Sequence, residues 1–476
     1  MQGIAKEEPK IIQGGMGVGV STWRLANAVA RWGQLGVVSG TALDSVWTRK
    51  LQKGDLGGHF ERAMKAFPVP EIAERMYRKY FSPSEKVALT PYKRPPMLTA
   101  SPSKELKELL IVSNFIEVFL AKEGHTGLVG INYLEKLQMA TLASVYGAML
   151  AGVGYVLMGA GIPREIPGAL DKLSKHEQVE LKLQVSESGS QDDYRTTFSP
   201  MEIMGGVLPP LVRPRFLAIV SSSALALTLA RKATGAVNGF VIEGATAGGH
   251  NAPPRGNLQF NERGEPIYGA KDRPDLEAIK AIGLPFWLAG SFGSPEGLRK
   301  ALGLGAAGVQ VGTAFALCEE SGLSSELKCD LLNHAKNGGV DVFTDPEASP
   351  TGFPFKVARL SGTLSESATY RERPRKCDVG YLRRPYKRED GSLGYRCPAE
   401  PIDTYISKGG KVEETHGRKC LCNALLANID LAQRQEDDYV EKPLITIGDD
   451  VNSVERFMSP GSSSYTAADV VRTLLG

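Results

Sequence analysis

Residues 286–313 read FWLAGSFGSPEGLRKALGLGAAGVQVGT, and this stretch decides the fold. Phe286-Trp287-Leu288-Ala289 is a short apolar run closed by Gly290-Ser291, and Gly308-Val309-Gln310-Val311 is a second one closed by Gly312-Thr313. Between them, Ser294-Pro295-Glu296 supplies a helix cap, a first-turn proline and an acid at the positive end of the helix dipole. A strand, a helix and a second strand in that order form a parallel pair, because parallel strands need a crossover.

The same rhythm extends back to residue 11. Ile11-Ile12-Gln13 precedes Gly14-Gly15, Gly36-Val37-Val38 precedes Ser39-Gly40, and Gly127-Leu128-Val129-Gly130-Ile131 precedes Asn132. Tyr155 to Met158 runs into Gly159, Phe216 to Val220 into three serines, and Gly239 to Ile242 into Glu243-Gly244. Ser21-Thr22 can cap the first helix. Eight such units predict a closed (β/α)8 barrel, a TIM barrel of the α/β class, since closure removes both sheet edges. In such a barrel the loops after the strands share one rim, which is where chemistry is placed.

Two additions are expected. A charged segment from about 44 to 110 reads as a helical insertion over the rim, with Pro91 to Pro96 extended. After residue 345 the rhythm stops, so residues 1–345 read as the barrel and 346–476 as an irregular extension packing on it. That extension ends in two helices, about Cys422 to Gln435 and Ala467 to Leu475. Leu137 to Pro163 carries no charge and is long enough to span a bilayer, but its glycines break it into a packed helix, a turn and a buried strand. With 42% hydrophobic and 23% charged residues the chain has the make-up of a folded protein. A net charge of +3 gives no electrostatic case for nucleic acid or a membrane surface. Met1 to Lys10 is polar and charged, not a signal peptide, and six cysteines do not make a disulfide scaffold, so a cytoplasmic location is expected.

The turns Ala289-Gly290-Ser291-Phe292-Gly293 and Val311-Gly312-Thr313 carry the strongest chemical signal. Glycine lets main-chain amides approach an anion, and in barrels the last two strand ends are the usual phosphate site. The first loop, Gln13-Gly14-Gly15-Met16-Gly17-Val18-Gly19, lacks the GxGxxG spacing of a dinucleotide site and suits a flat ring laid against bare backbone. After the sixth strand, Gly248-Gly249 raises His250 on what reads as a flexible loop, where an imidazole of ordinary pKa near 6.5 suits proton transfer.

Together, Ile12 to Gly17, Glu243-Gly244-Ala245-Thr246-Ala247-Gly248-Gly249-His250, Leu288 to Ser291 and Gly308 to Thr313 resemble the nitronate monooxygenase family. That family, formerly the 2-nitropropane dioxygenases, includes flavin-dependent enoyl-ACP reductases. The resemblance covers most of residues 10–320. It implies FMN bound without a covalent link, with Gln13, Gly14, Gly15 and Met16 beside the ring and Gly290, Ser291, Gly312 and Thr313 at the phosphate. It also implies Asn132, Gln310, Gly248 and Gly249 as further cofactor contacts and His250 as base or substrate anchor. Asn251-Ala252-Pro253-Pro254-Arg255 departs from the family, in which a glycine usually comes soon after the histidine.

The implied activity is oxidation of an alkyl nitronate or similar carbanion with O2. One alternative is an enoyl-thioester reductase taking electrons from NAD(P)H, with an acyl carrier protein as partner, and another is a flavin-binding barrel without turnover. Cys377, Cys397, Cys420 and Cys422 follow a C-x19-C-x22-C-x-C spacing without paired knuckles, so they read as free buried thiols ahead of a zinc site.

Overall fold

The computed structural model describes residues 7–82, 90–206 and 208–476. Eight parallel strands form the barrel: β1 (Ile11–Gln13), β2 (Gly36–Ser39), β3 (Val129–Leu134), β4 (Tyr155–Gly159), β5 (Arg215–Val220), β6 (Gly239–Glu243), β7 (Phe286–Ala289) and β8 (Gly308–Val311). Each pairs with its neighbour in chain order from β2 to β8, and β8 pairs with β1. The ring closes through a parallel bridge between Ile12 and Leu35, where Gln13 N donates to the Leu35 carbonyl at 3.0 Å.

Both faces of these strands are buried, which is why their sequences are apolar runs and do not alternate with polar residues. Ile12, Val37, Leu157, Leu217, Val241 and Trp287 fill the barrel interior. Their neighbours, such as Ile11, Val38, Val156, Phe216, Phe240 and Leu288, face the surrounding helices. The Trp287 indole donates to the Pro9 carbonyl at 2.7 Å and ties the N-terminal segment to the barrel. β3 starts at Val129, two residues later than the sequence suggests. Gly127 lies so close to the first helix, Trp23–Arg31, that a Cβ would stand 2.0 Å from the Ala30 carbonyl oxygen.

The expected helix caps form: Thr22 accepts from Leu25 N, and Ser294 accepts from Gly297 N. Among its described residues the insertion after β2 carries helices Leu43–Gln52, His59–Lys65 and Pro70–Tyr80. Its end is not at Leu110, because that residue lies within the 19-residue helix Lys104–Lys122, which packs on Gln138–Leu150 beside β3 and β4. Pro91 to Pro96 has no regular secondary structure.

The extension is more ordered than its sequence suggests. Hairpins Asp341–Asp345/Phe355–Arg359 and Arg384–Lys387/Leu393–Arg396 precede short helices. The helix expected to reach Gln435 covers Leu421–Ala427. It stops because Asn428 turns its amide to the Leu444 carbonyl and Asp430 takes a left-handed conformation (φ 59°). Arg49 from the insertion donates to the Leu431 carbonyl at 2.6 Å and pairs with Asp378. The four tail cysteines are free and line one small cavity, with Cys377 pushed up to about 12 by burial. Among the described residues no cluster of three or more His, Cys, Asp or Glu side chains is arranged to hold a metal ion, and no helix is long and apolar enough to cross a membrane.

Candidate active site

The C-terminal ends of the strands open into one cavity. Its floor is main chain. Gly14 N donates to the Val311 carbonyl at 2.9 Å, joining the first loop to the end of β8. A Cβ on Gly312 would touch the Met16 sulfur at 3.5 Å, and one on Gly15 would fall 2.2 Å from Asn132 Cβ. The turn after β7 places Gly290 at φ 94° and Ser291 at φ 58°, both left-handed, so its backbone bends sharply into the cavity mouth. Gly14, Gly15, Met16, Asn132, Gly248, Gly249, His250, Gly290, Ser291, Gln310, Gly312 and Thr313 all line this cavity.

Gln13 does not. Its side chain is wholly buried behind the loop, where Oε1 accepts from Val37 N at 2.9 Å and Nε2 donates to Ser21 Oγ and the Gly14 carbonyl. It shapes the loop from beneath, since Ser21 Oγ in turn accepts from Met16 N.

The histidine loop is held, not flexible. Gly249 N donates to Thr446 Oγ1 at 2.8 Å, Lys356 N to the Gly249 carbonyl at 3.0 Å, and Asn251 N to the Pro354 carbonyl at 2.9 Å. The partners all come from the extension, which also sends Ile445 to Gly448 and Asp450 into the cavity wall. Gly448 N donates to Thr313 Oγ1, and Asp449 N to the Thr246 carbonyl.

His250 Nε2 lies 2.7 Å from Ser349 Oγ, and its ring meets Phe355 edge-on at 4.8 Å. Burial, helped by the Lys136 charge, holds the imidazole well below its ordinary pKa, so it is neutral near pH 7. This corrects the expectation of an ordinary value near 6.5. Two other histidines have structural roles: His176 bridges Tyr146 and the Pro209 carbonyl, and His125 joins the Ala121 carbonyl to Gly127 N.

Several ionisable groups at this rim escaped the sequence reading. Glu243 closes β6 on the cavity wall, and burial pushes its carboxyl up to about 7. Asp450 stands beside Thr313 and is also raised by burial. Lys136, two residues past β3, is lowered to about 7 by burial and by the charge of Arg384, while Glu135 partly offsets this. Glu243 opens the Glu243 to His250 motif, so its place at a strand end was a usable signal. Asp450, Ser349 and Thr446 come from a region without βα rhythm, where no local pattern marks a rim position.

A (β/α)8 barrel with a glycine-floored cavity at its C-terminal mouth and one imidazole on the wall is the class that fold and site define. The resemblance seen in the motifs holds over the second half of the barrel. Residues 214–344 match the family model for nitronate monooxygenase. Over 81 residues, 17% of this chain and 21% of the relative, the sequence is 43% identical to a nitronate monooxygenase of Pseudomonas aeruginosa. Over 143 residues, 30% of this chain and 36% of the relative, it is 32% identical to a (3aS,4S,5R,7aS)-5-hydroxy-7a-methyl-1-oxo-octahydro-1H-indene-4-carboxyl-CoA dehydrogenase of Mycobacterium tuberculosis. The matches thus span about a third or less of these relatives' lengths. Among solved structures, FabK of Thermotoga maritima aligns over 99% of this chain and 92% of its own at 14% identity and TM-score 0.47. A nitroalkane oxidase of Streptomyces ansochromogenes aligns over 98% and 94% at 15% identity and TM-score 0.44.

Proposed function

We propose that this chain is an FMN-dependent oxidoreductase of the nitronate monooxygenase type. The observation that carries the cofactor reading is Gln310 Oε1, a buried acceptor on the cavity wall that has no hydrogen-bond partner among the described residues. Leaving such a group unpaired costs on the order of 1–3 kcal/mol, so it calls for a donor brought by a ligand. The N–H of a flavin ring or a hydroxyl of its ribityl chain is such a donor. Around it the lining fits the rest of FMN. Bare backbone at Gly14-Gly15 and the Met16 side chain suit a flat ring, and the left-handed turn at Gly290-Ser291 together with Gly312-Thr313 suits a phosphate.

When bound, FMN supplies two-electron chemistry, and the protein supplies position and protons. His250, neutral and fixed by Ser349, stands where it can take a proton from a carbon acid or anchor a nitronate. Phe353 and Phe355 stand edge-on to its ring. Stabilised carbanions such as alkyl nitronates are the substrates this arrangement suits, with O2 as the final oxidant.

A second reading is an enoyl-thioester reductase using NAD(P)H, with an acyl carrier protein as partner. It is favoured by the acid–base equipment around His250, because a preformed nitronate needs no proton transfer and reduction of an enoyl thioester does. Similarity to the M. tuberculosis CoA-thioester dehydrogenase supports the same substrate class. Anaerobic stopped-flow of the FMN-loaded protein separates the two. Bleaching by ethylnitronate and not by NADPH supports the first reading, the reverse supports the second, and no response to either contradicts both.

A further inference from the structure

His250 is the inner end of a continuous chain of hydrogen-bonding side chains that runs away from the cavity. Its Nε2 lies 2.7 Å from Ser349 Oγ, Ser349 Oγ lies 2.7 Å from Thr351 Oγ1, and Lys136 Nζ donates to Thr351 Oγ1 at 3.2 Å. Ser349 is wholly buried, and its hydroxyl also accepts from Thr351 N, which fixes the turn that carries both hydroxyls. Lys136 Nζ sits 3.9 Å from the centre of the Phe353 ring. The four residues come from three places far apart in sequence: the end of β3, the loop after β6, and the turn inside the first hairpin of the extension.

We propose that Ser349, Thr351 and Lys136 form a proton relay serving His250, with Lys136 as the terminal acceptor. This deepens the flavin-oxidoreductase reading and rests on it for the reaction served. A carbon acid in the cavity loses its proton to Nδ1, the ring nitrogen without a partner among the described residues. The C–H electron pair stays on the substrate as the carbanion to be oxidised. Nε2 gives its proton to Ser349, Ser349 gives one to Thr351, and Thr351 gives one to the free amine of Lys136. Each hydroxyl receives one proton and passes one on. The net change is one C–H broken and one Lys136 ammonium formed.

A lysine at the end of such a path must exchange protons near neutral pH, and its surroundings provide for that. Burial and the facing Arg384 guanidinium lower Lys136 to about 7, against the opposing charge of Glu135 beside it. Glu135 is itself raised to about 6 by burial, accepts from Gln138, and feels Glu165. His250 faces the same ammonium and is kept neutral in part by it. Above pH about 7 the amine is free and the relay can take up a proton.

The test uses the FMN-loaded full chain, with neutral nitroethane and preformed ethylnitronate as alternative reductants. Thr351→Val is expected to slow anaerobic flavin bleaching by nitroethane at least tenfold and to leave bleaching by ethylnitronate within twofold. Thr351→Ser is expected to restore the nitroethane rate to within threefold. In wild type that rate should rise with pH through about 7, and Lys136→Met should abolish the rise. Equal slowing with both reductants, no slowing with either, or an unchanged pH profile in Lys136→Met overturns the relay.

If wild type bleaches with neither reductant, the nitronate reading fails, and the relay is then judged on the flavin-free chain. There, nitrogen NMR of His250 should show a pKa that rises on Lys136→Met and an Nε2 shift that moves on Thr351→Val and returns on Thr351→Ser. A His250 signal indifferent to these changes overturns the relay independently of turnover.

Discussion

Gln310, His250 and Gly290 carry separable parts of the site. Gln310→Leu keeps most of the side-chain volume and removes the orphaned Oε1, so it should stabilise the flavin-free chain by about 1 kcal/mol and weaken FMN binding. Urea melts with and without FMN check both halves, and a variant that loses stability without flavin contradicts the assignment. His250→Ala should leave FMN bound and lower turnover by about 100-fold or more, the usual scale of general acid–base catalysis. Steady-state rates and the flavin content of the same preparation read this out. Gly290→Asp must hold a left-handed backbone, with its Cβ 2.8 Å from Thr246 Oγ1 and a charge at the phosphate turn. It should purify without FMN, and full flavin content would move the phosphate site elsewhere.

Among the elements, the extension proves to be a wall of the site. Its segments 349–356 and 446–449 hold the histidine loop and Thr313. One buried ion pair secures it: Arg373 bonds Glu441 through two nitrogens, with both side chains almost fully excluded from solvent. Glu441→Ala strands the guanidinium and should cost about 3–5 kcal/mol, measured by chemical denaturation.

All eight barrel strands were legible in the sequence, because a strand buried on both faces is a short apolar run ended by glycine. The glycine turns were legible for the same reason, since each follows such a run directly, and His250 lies on the loop that follows one. The extension was not, because its contacts link residues such as Ser349 and His250 across 99 positions, and no periodicity records that. Gln13 was misplaced because a motif names a residue type without showing which way its side chain points.

For the whole molecule, the buried acid at the end of β6 gives a pH signature. Glu243 is raised in the folded chain from 4.5 to about 7, so between those values the folded state holds the proton more tightly than the unfolded one. Stability of the flavin-free chain therefore falls as pH rises through that window, and Glu243→Gln should remove this part of the fall. Melting curves at several pH values compare the two directly.

On the proposed function, main-chain turns at one end of the barrel hold a phosphorylated flavin. Fluorescence-quench titration of the flavin-free chain with FMN and with riboflavin tests it most directly, since the two ligands differ only by the phosphate. Tight FMN binding and riboflavin affinity at least 100-fold weaker are expected, whereas equal affinities, or no quenching by FMN, would place the phosphate elsewhere.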